Sequence, residues 1–321
     1  MKVAICGAGD MGGVHFDAFS KLRGVSVVGI CDPDSSAAGR FAGRGARLFA
    51  KSEDMIDAGL ADVISIAAPT QVHTPLAIRA LAKGLHVFCE KPMARTVADG
   101  EAMVKAAARA KRTLAIGYVL RFDDAYRLAR DYVRGGQLGA IGTVRTSRCG
   151  RSETAWLRDV EANGGAVFEL LTHDLDWLQW SLGPAKRVFA RGLAKGKKTV
   201  ERDYCLAVLR FGDGTVAHLE GSLAEAGDFY AAYEIAGSDG LLSYDTRKSA
   251  VLEARLIAPG GLRTVCESPQ NESPFARQVR AFVEAVWSGK EYEVCAEAAM
   301  PALRLASAVC ESIESGGPVD L

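Results

Sequence analysis

The chain has 321 residues, with 39 Lys plus Arg set against 39 Asp plus Glu and a hydrophobic content of 49%. That balance excludes a broad basic face for nucleic acid or anionic lipid, and the apolar fraction excludes general disorder. What remains is a globular chain long enough for two domains, with a small molecule as its expected partner.

Taken in chain order, residues 2–6 form a short β-type run that ends at glycines, and 11–22 carry apolar positions at helical spacing. Strand 25–31 and helix 34–43 follow, then strand 62–66, helix 73–83, strand 85–89, helix 96–111 and strand 113–117. Such alternation predicts right-handed βαβ units and a doubly wound parallel sheet over residues 1–120, a Rossmann-type α/β domain. Beyond it come a helix at 122–134, a strand at 141–149 and a helix at 166–182. Seven strand-like runs follow, near 186–193, 203–211, 214–223, 229–236, 240–245, 250–257 and 262–266, separated by GDG, GSDG and PGG turns. They predict an α+β domain over 121–321 with one large, mainly antiparallel open sheet. Helices at 274–288 and 296–314 close the chain and are expected to pack back toward the first domain.

The eight cysteines are scattered without a CxxC pair, several inside apolar runs, and read as reduced core residues. The N-terminal apolar run enters a glycine turn too early for a signal peptide, and no apolar stretch has membrane-spanning length. A cytoplasmic protein with neither membrane nor nucleic-acid partner is expected.

Gly7-Ala8-Gly9-Asp10-Met11-Gly12 matches GxGxxG in its informative context, after an N-terminal strand, at the opening of a helix, and 20 residues before Asp32 at the end of the second strand. Gly7 permits the tight turn, Gly9 lets the backbone approach a pyrophosphate, and Gly12 lets helix and strand pack closely. Asp32 would accept hydrogen bonds from the adenosine ribose hydroxyls and repel a 2′-phosphate, which favours NAD over NADP. NADP stays open because Arg40 lies one helix away. An S-adenosylmethionine enzyme is the other nucleotide reading.

Ligands collect at the carboxyl ends of strands in such sheets. One such end carries Ala68-Pro69-Thr70 and then His73, and another carries Glu90-Lys91-Pro92. Ala68, Pro69, Thr70, His73, Glu90 and Lys91 are candidate cofactor contacts, together with Asp10 and Met11 of the glycine turn. Lys91, directly after a buried strand, is suited to act as acid or base, or as a fixed positive charge on a substrate oxygen. His15 is expected near the cofactor.

These segments resemble the Gfo/Idh/MocA oxidoreductases. The resemblance is carried by GAGDMG with His15, by APTQVHTPLAIRALAKGLHVFCEKP at 68–92, by GYVLRFDDAYRLARDYVRGGQLGAIGTV at 117–144, and by Trp156, Asn163-Gly164-Gly165 and His173-Asp174-Leu175-Asp176. It implies hydride transfer between NAD(P) and a carbon of a sugar, sugar derivative or cyclic polyol, with Lys91 orienting the substrate and His173 acting as acid/base. One turn before that His the family often has Asp, and this chain has Glu169. The same resemblance admits a dinucleotide-sensing regulator without chemistry, or a reductase of a biliverdin-like or dihydrodiol substrate.

In an α-helix over 166–182, Glu169 and His173 share a face, with Asp176 close to the same stripe. A polar stripe on so apolar a helix points to a pocket. His173 has the intrinsic pKa for two-way proton transfer, and Glu169 could orient it, bind a substrate hydroxyl or pass protons. Tyr118, Arg121, Trp156 and Arg158 are candidate substrate contacts, Asp176 can simply pin the helix, and no metal is expected. The open sheet needs shelter on one face, which predicts a homodimer or homotetramer.

Overall fold

The computed structural model describes residues 1–150, 159, 163–192, 203–225, 227–249, 251–258, 261–267 and 272–321. Two compact units emerge, Met1–Val119 with Glu272–Leu303, and Leu120–Asn271 with Arg304–Leu321. By its contacts the stretch 272–303, which holds the first of the two C-terminal helices expected to pack back, falls in the first unit.

The first unit holds a parallel sheet in the order β3-β2-β1-β4-β5-β6, the doubly wound order of dinucleotide-binding folds. Its strands are β1 (Lys2–Cys6), β2 (Ser26–Cys31), β3 (Arg47–Phe49), β4 (Val63–Ile66), β5 (His86–Cys89) and β6 (Leu114–Ile116). The intervening helices are α1 (Asp10–Ser20), α2 (Ser35–Gly39), α3 (Ser52–Asp57), α4 (His73–Ala82) and α5 (Val97–Ala110). Neither β3 nor α3 has a counterpart in the sequence reading, because three- and six-residue elements are too short to show a period. The free edge of β6 is covered by the chain ahead of the last helix, where the Ile116 amide donates to the Val294 carbonyl at 2.9 Å.

Register decides where the strands stop. Cys31, Cys6, Ile66, Cys89 and Ile116 are successive partners across the sheet, all at or below 1% exposure. One residue further, the amides of Asp32, Gly7, Ala67, Glu90 and Gly117 each donate to the last carbonyl of the neighbouring strand, at 2.7–3.2 Å. The carboxyl edge is thus a level row, and most of the expected cofactor residues lie on it or just past it. Burial pushes the Cys6 thiol up to about 12 and raises those of Cys31 and Cys89, so all three are protonated packing groups. Helix α8 (Pro274–Ser288) packs on this core through Phe282, 5.3 Å from Phe88 and 6.5 Å from Phe19 between ring centroids.

The second unit is built on a nine-stranded sheet in the order β14-β13-β12-β11-β7-β10-β9-β8-β15. Its members are β7 (Ile141–Cys149), β8 (Ala185–Gly192), β9 (Tyr204–Phe211), β10 (Val216–Ser222), β11 (Tyr230–Gly237), β12 (Gly240–Asp245), β13 (Leu252–Ala258), β14 (Gly261–Glu267) and β15 (Val319–Asp320). Only β7 and β10 run parallel among the described pairs, as a mainly antiparallel sheet requires. Alternation along β9 buries Cys205, Ala207, Leu209 and Phe211 and turns Tyr204 and Leu206 outward. Helix α6 (Asp124–Arg134) packs with α7 (Thr172–Leu182), and α9 (Ala296–Ser315) is the last helix of the chain. Tyr126, Trp177 and Tyr233 form an aromatic knot at 4.9–5.2 Å. No helix among the described residues is long and apolar enough to cross a membrane.

Candidate active site

The glycine turn is shaped by what surrounds it. Gly7 adopts φ +95°, and a Cβ there would stand 2.2 Å from the Ala67 carbonyl oxygen. At Gly12 a Cβ would fall 2.1 Å from the Gly7 carbonyl oxygen, so helix α1 lies directly against its own turn. Gly9 differs, since nothing lies within 4 Å of its Cβ position, and it opens α1 with no side-chain cap. A helix N-terminus facing open space over a bare glycine is what a dinucleotide pyrophosphate needs, so the residues fit the cofactor. Asp10 is exposed and Met11 half-buried beside it.

Asp32 is fixed at both oxygens. Oδ2 accepts from the Ala8 amide at 2.8 Å and Oδ1 from the Asp34 amide at 2.9 Å, which leaves further lone pairs on each for ribose hydroxyls. The short helix α2 brings Arg40 back to the same turn, where its guanidinium donates to the Ala8 carbonyl. A surface pocket of about 300 Å³ lies there, lined by Gly9, Asp10, Gly13, Arg40, Phe41 and Arg44.

At the ends of β4 and β5 the side chains of His73 and Glu90 have partners within the protein. His73 is 1% exposed and its ring nitrogens face two carbonyls, Nδ1 to Pro92 at 2.9 Å and Nε2 to Ala68 at 2.8 Å. Carbonyls only accept, so both bonds form together when both nitrogens carry hydrogen. Thr70 is buried as well. Glu90 also turns inward, with Oε1 2.9 Å from Nε2 of buried His15 and Oε2 accepting the Lys91 amide at 3.2 Å. His73 and Glu90, expected to touch the cofactor, thus have partners on the protein side of the row, while Ala68 and Pro69 form the loop that His73 ties to Pro92. Lys91 stands between these two anchored neighbours and is half-buried.

In the second unit the expected α-helix over 166–182 begins as a π-helical segment, Val167–Leu171, and becomes α-helical in α7. Periodicity cannot separate the two because both are apolar on most sides. Entry is fixed by Gly164 and Gly165 at φ +92° and +65°, by Asn163 Oδ1 accepting the Gly165 amide at 2.7 Å, and by Asp203 Oδ2 accepting the Ala166 amide at 2.8 Å. From Gly165 to Leu178 every residue is buried except Glu169 and His173. Asp176, expected near the same stripe, is buried and paired with Arg121 at 2.6 and 2.9 Å. The guanidinium of Arg121, a candidate substrate contact, thus reaches this helix. Arg148 holds Asp174 in the same way at 2.7 Å and also donates to the Tyr126 hydroxyl at 2.9 Å. Tyr118 is buried at 1% exposure, and Trp156 and Arg158 lie outside the described residues.

Residues 1–118 match the model of an oxidoreductase family with an NAD-binding Rossmann fold, and residues 130–321 match the model of its C-terminal alpha/beta domain. The chain belongs to the Gfo/Idh/MocA oxidoreductase family. The rhizopine catabolism protein MocA of Rhizobium meliloti is 28% identical, over 97% of this chain and 94% of its own. An inositol 2-dehydrogenase of Leifsonia xyli subsp. xyli is 27% identical, over 90% and 86%. Among solved structures, levoglucosan dehydrogenase in complex with NADH and levoglucosan superposes with a TM-score of 0.88 at 22% identity, covering 100% of this chain and 99% of that one. An aldose-aldose oxidoreductase from Caulobacter crescentus complexed with glycerol gives 0.86 at 24% identity, with 100% and 99% covered. At such identities the superpositions establish the fold.

Two residues of this Gfo/Idh/MocA chain went unnoticed in the sequence. Ser65, the one polar residue in the strand VISI, accepts or donates at His15 Nδ1 across 2.8 Å. Gly117 leaves the space that the Glu90 carboxylate fills. A buried polar residue in an apolar strand is itself a sign of a network, and Ser65 carried that sign.

Proposed function

We propose that this protein transfers a hydride between a nicotinamide cofactor, NAD in preference to NADP, and a CH–OH carbon of a sugar, sugar derivative or cyclic polyol. The observation that carries the reading is the family match over both halves, in a chain that keeps Lys91 at the carboxyl edge of the sheet and leaves Glu169 and His173 as the accessible pair in a buried run. Relatives named for inositol and neighbours named for levoglucosan and aldoses support the substrate class.

The glycine turn, the α1 N-terminus and Asp32 would hold the cofactor. Bound NAD supplies the acceptor for the hydride that leaves the substrate carbon. Lys91 has donors only, so its ammonium hydrogen-bonds the reacting oxygen and favours charge on it. His173 in its neutral form takes the hydroxyl proton as C=O forms and returns it in the reverse direction. Glu169 accepts a further substrate hydroxyl or orients the imidazole.

On the outer face of the sheet, Phe189, Tyr204 and Leu206 are 38–40% exposed. The β8–β9 register puts them on one side, a face suited to a second copy of this chain. We place the protein in the cytoplasm as a homodimer or homotetramer.

Absorbance of the reduced nicotinamide is followed with NAD or NADP against myo-inositol, scyllo-inositol, D-glucose, D-galactose and levoglucosan. Reduction with at least one of them is expected, faster with NAD. Complete silence, in protein that binds NADH by fluorescence titration, overturns the proposal.

A further inference from the structure

Glu90 is 7% exposed, at a row of strand ends where its neighbours Ala67 and Gly117 carry no polar side chain. Burying an ionised carboxylate is costly unless it is hydrogen-bonded and paired, so a packing role alone would be served better by an apolar side chain. Here each oxygen has a protein partner. Oε1 faces Nε2 of His15, itself 1% exposed, and His15 Nδ1 is met by Ser65 Oγ at 2.8 Å. With Glu90 ionised, Nε2 carries the proton and donates to Oε1, while Ser65 completes the ring's other side. Oε2 accepts the amide of Lys91, the next residue, and so restrains the backbone at the point where that side chain leaves the sheet.

A second observation is independent of this hydrogen bonding. A Cβ on Gly117 would stand 2.9 Å from Glu90 Oε1 and 3.0 Å from Cδ and Oε2. Gly117 is not in the left-handed region, so the backbone does not demand glycine there and the carboxylate's space does. On the far side of Lys91, the Pro92 carbonyl is held by His73.

We infer that Glu90 is a positioning residue, whose carboxylate, clamped by His15 and seated in the space left by Gly117, sets Lys91 for the reaction. The inference rests on the reading of Lys91 under Proposed function. It also gives α1, which opens at the glycine turn and carries His15, a direct mechanical connection to Lys91.

The test uses Glu90→Gln, which keeps the shape and removes the charge, and Gly117→Ala, which displaces the carboxylate without changing it. Should one of them fail to fold, the other still decides. Three quantities are measured: kcat with NAD and the fastest substrate of the panel above, the NADH dissociation constant by fluorescence, and acetylation of Lys91 by acetic anhydride relative to exposed Lys105, by mass spectrometry. Each variant is expected to lose about tenfold in kcat with NADH affinity within about twofold. Lys91 acetylation relative to Lys105 is expected to change at least about threefold in each, since the ammonium's surroundings change. Unchanged kcat and unchanged Lys91 labelling overturn the inference, and so does a loss of kcat matched by an equal loss of NADH affinity. Lys91→Ala, run alongside, separates the two readings. If it keeps full turnover the role of Lys91 falls, while the labelling still reports whether Glu90 sets that side chain.

Discussion

The two sheets place their candidate groups by different means. In the parallel sheet the candidate groups follow the last residue of each strand, so register alone brings Gly7, Asp32, Ala67 and Glu90 to one edge. In the nine-stranded sheet the candidate groups stand on a helical segment held by partners distant in sequence, Arg121 on Asp176 and Arg148 on Asp174. A site at strand ends is written in short motifs. A site propped by buried ion pairs depends on contacts that no short motif encodes.

This contrast can be broken most forcefully at the proposed chemical groups. Lys91→Ala and His173→Ala should each lower kcat by about a hundredfold or more, as loss of an orienting charge or a general base does, without loss of NADH binding by fluorescence titration. Retained turnover in either would remove that sheet's share of the chemistry. The next largest effect is on stability. Asp174→Ala leaves the guanidinium of Arg148 buried without its carboxylate, in a pair whose side chains are 7% and 2% exposed, and should cost about 3 kcal/mol in urea denaturation. Asp57→Ala, which breaks exposed pairs with Arg79 and Lys83, should leave the midpoint unmoved.

A smaller effect sharpens the reading of the parallel sheet. Asp32→Ser removes the carboxylate beside a 2′-phosphate position while Arg40 stays at the turn, so the NADP to NAD ratio of kcat/KM should rise by about tenfold or more, and Arg40→Ala in that background should reverse the gain. The smallest concerns thiols. Burial holds Cys6 and Cys205 up to about 12 and Cys295 up to about 11, so at pH 8 they stay protonated and unreactive, and raising the pH to 9 still leaves them well below their titration. Ellman's reagent should modify exposed Cys266 first in native protein and all eight cysteines in guanidinium.

The same contrast explains what was legible in the sequence. The places of GxGxxG, Asp32 and Lys91 at strand ends could be read because their neighbours in space are their neighbours in a βαβ unit. The long strands of the second sheet were legible from alternation, whereas two-residue β15 and three-residue β3 offered no pattern. The pairing of Arg121 with Asp176 was hidden, because a basic residue at a helix start gives no hint of a carboxylate 55 positions later. The inward turn of His73 and Glu90 was equally hidden, since a motif shows which residues stand at a strand end and not which way they face.

The level edge of the parallel sheet has a consequence for how such a chain can change over generations. Because Cys31, Cys6, Ile66, Cys89 and Ile116 finish together and are sealed from solvent, the loop after each strand starts from the same height on a finished core. A loop can then lengthen, shorten or exchange a side chain without repacking the strands beneath it. Such a platform lets relatives with different preferences diverge one loop at a time.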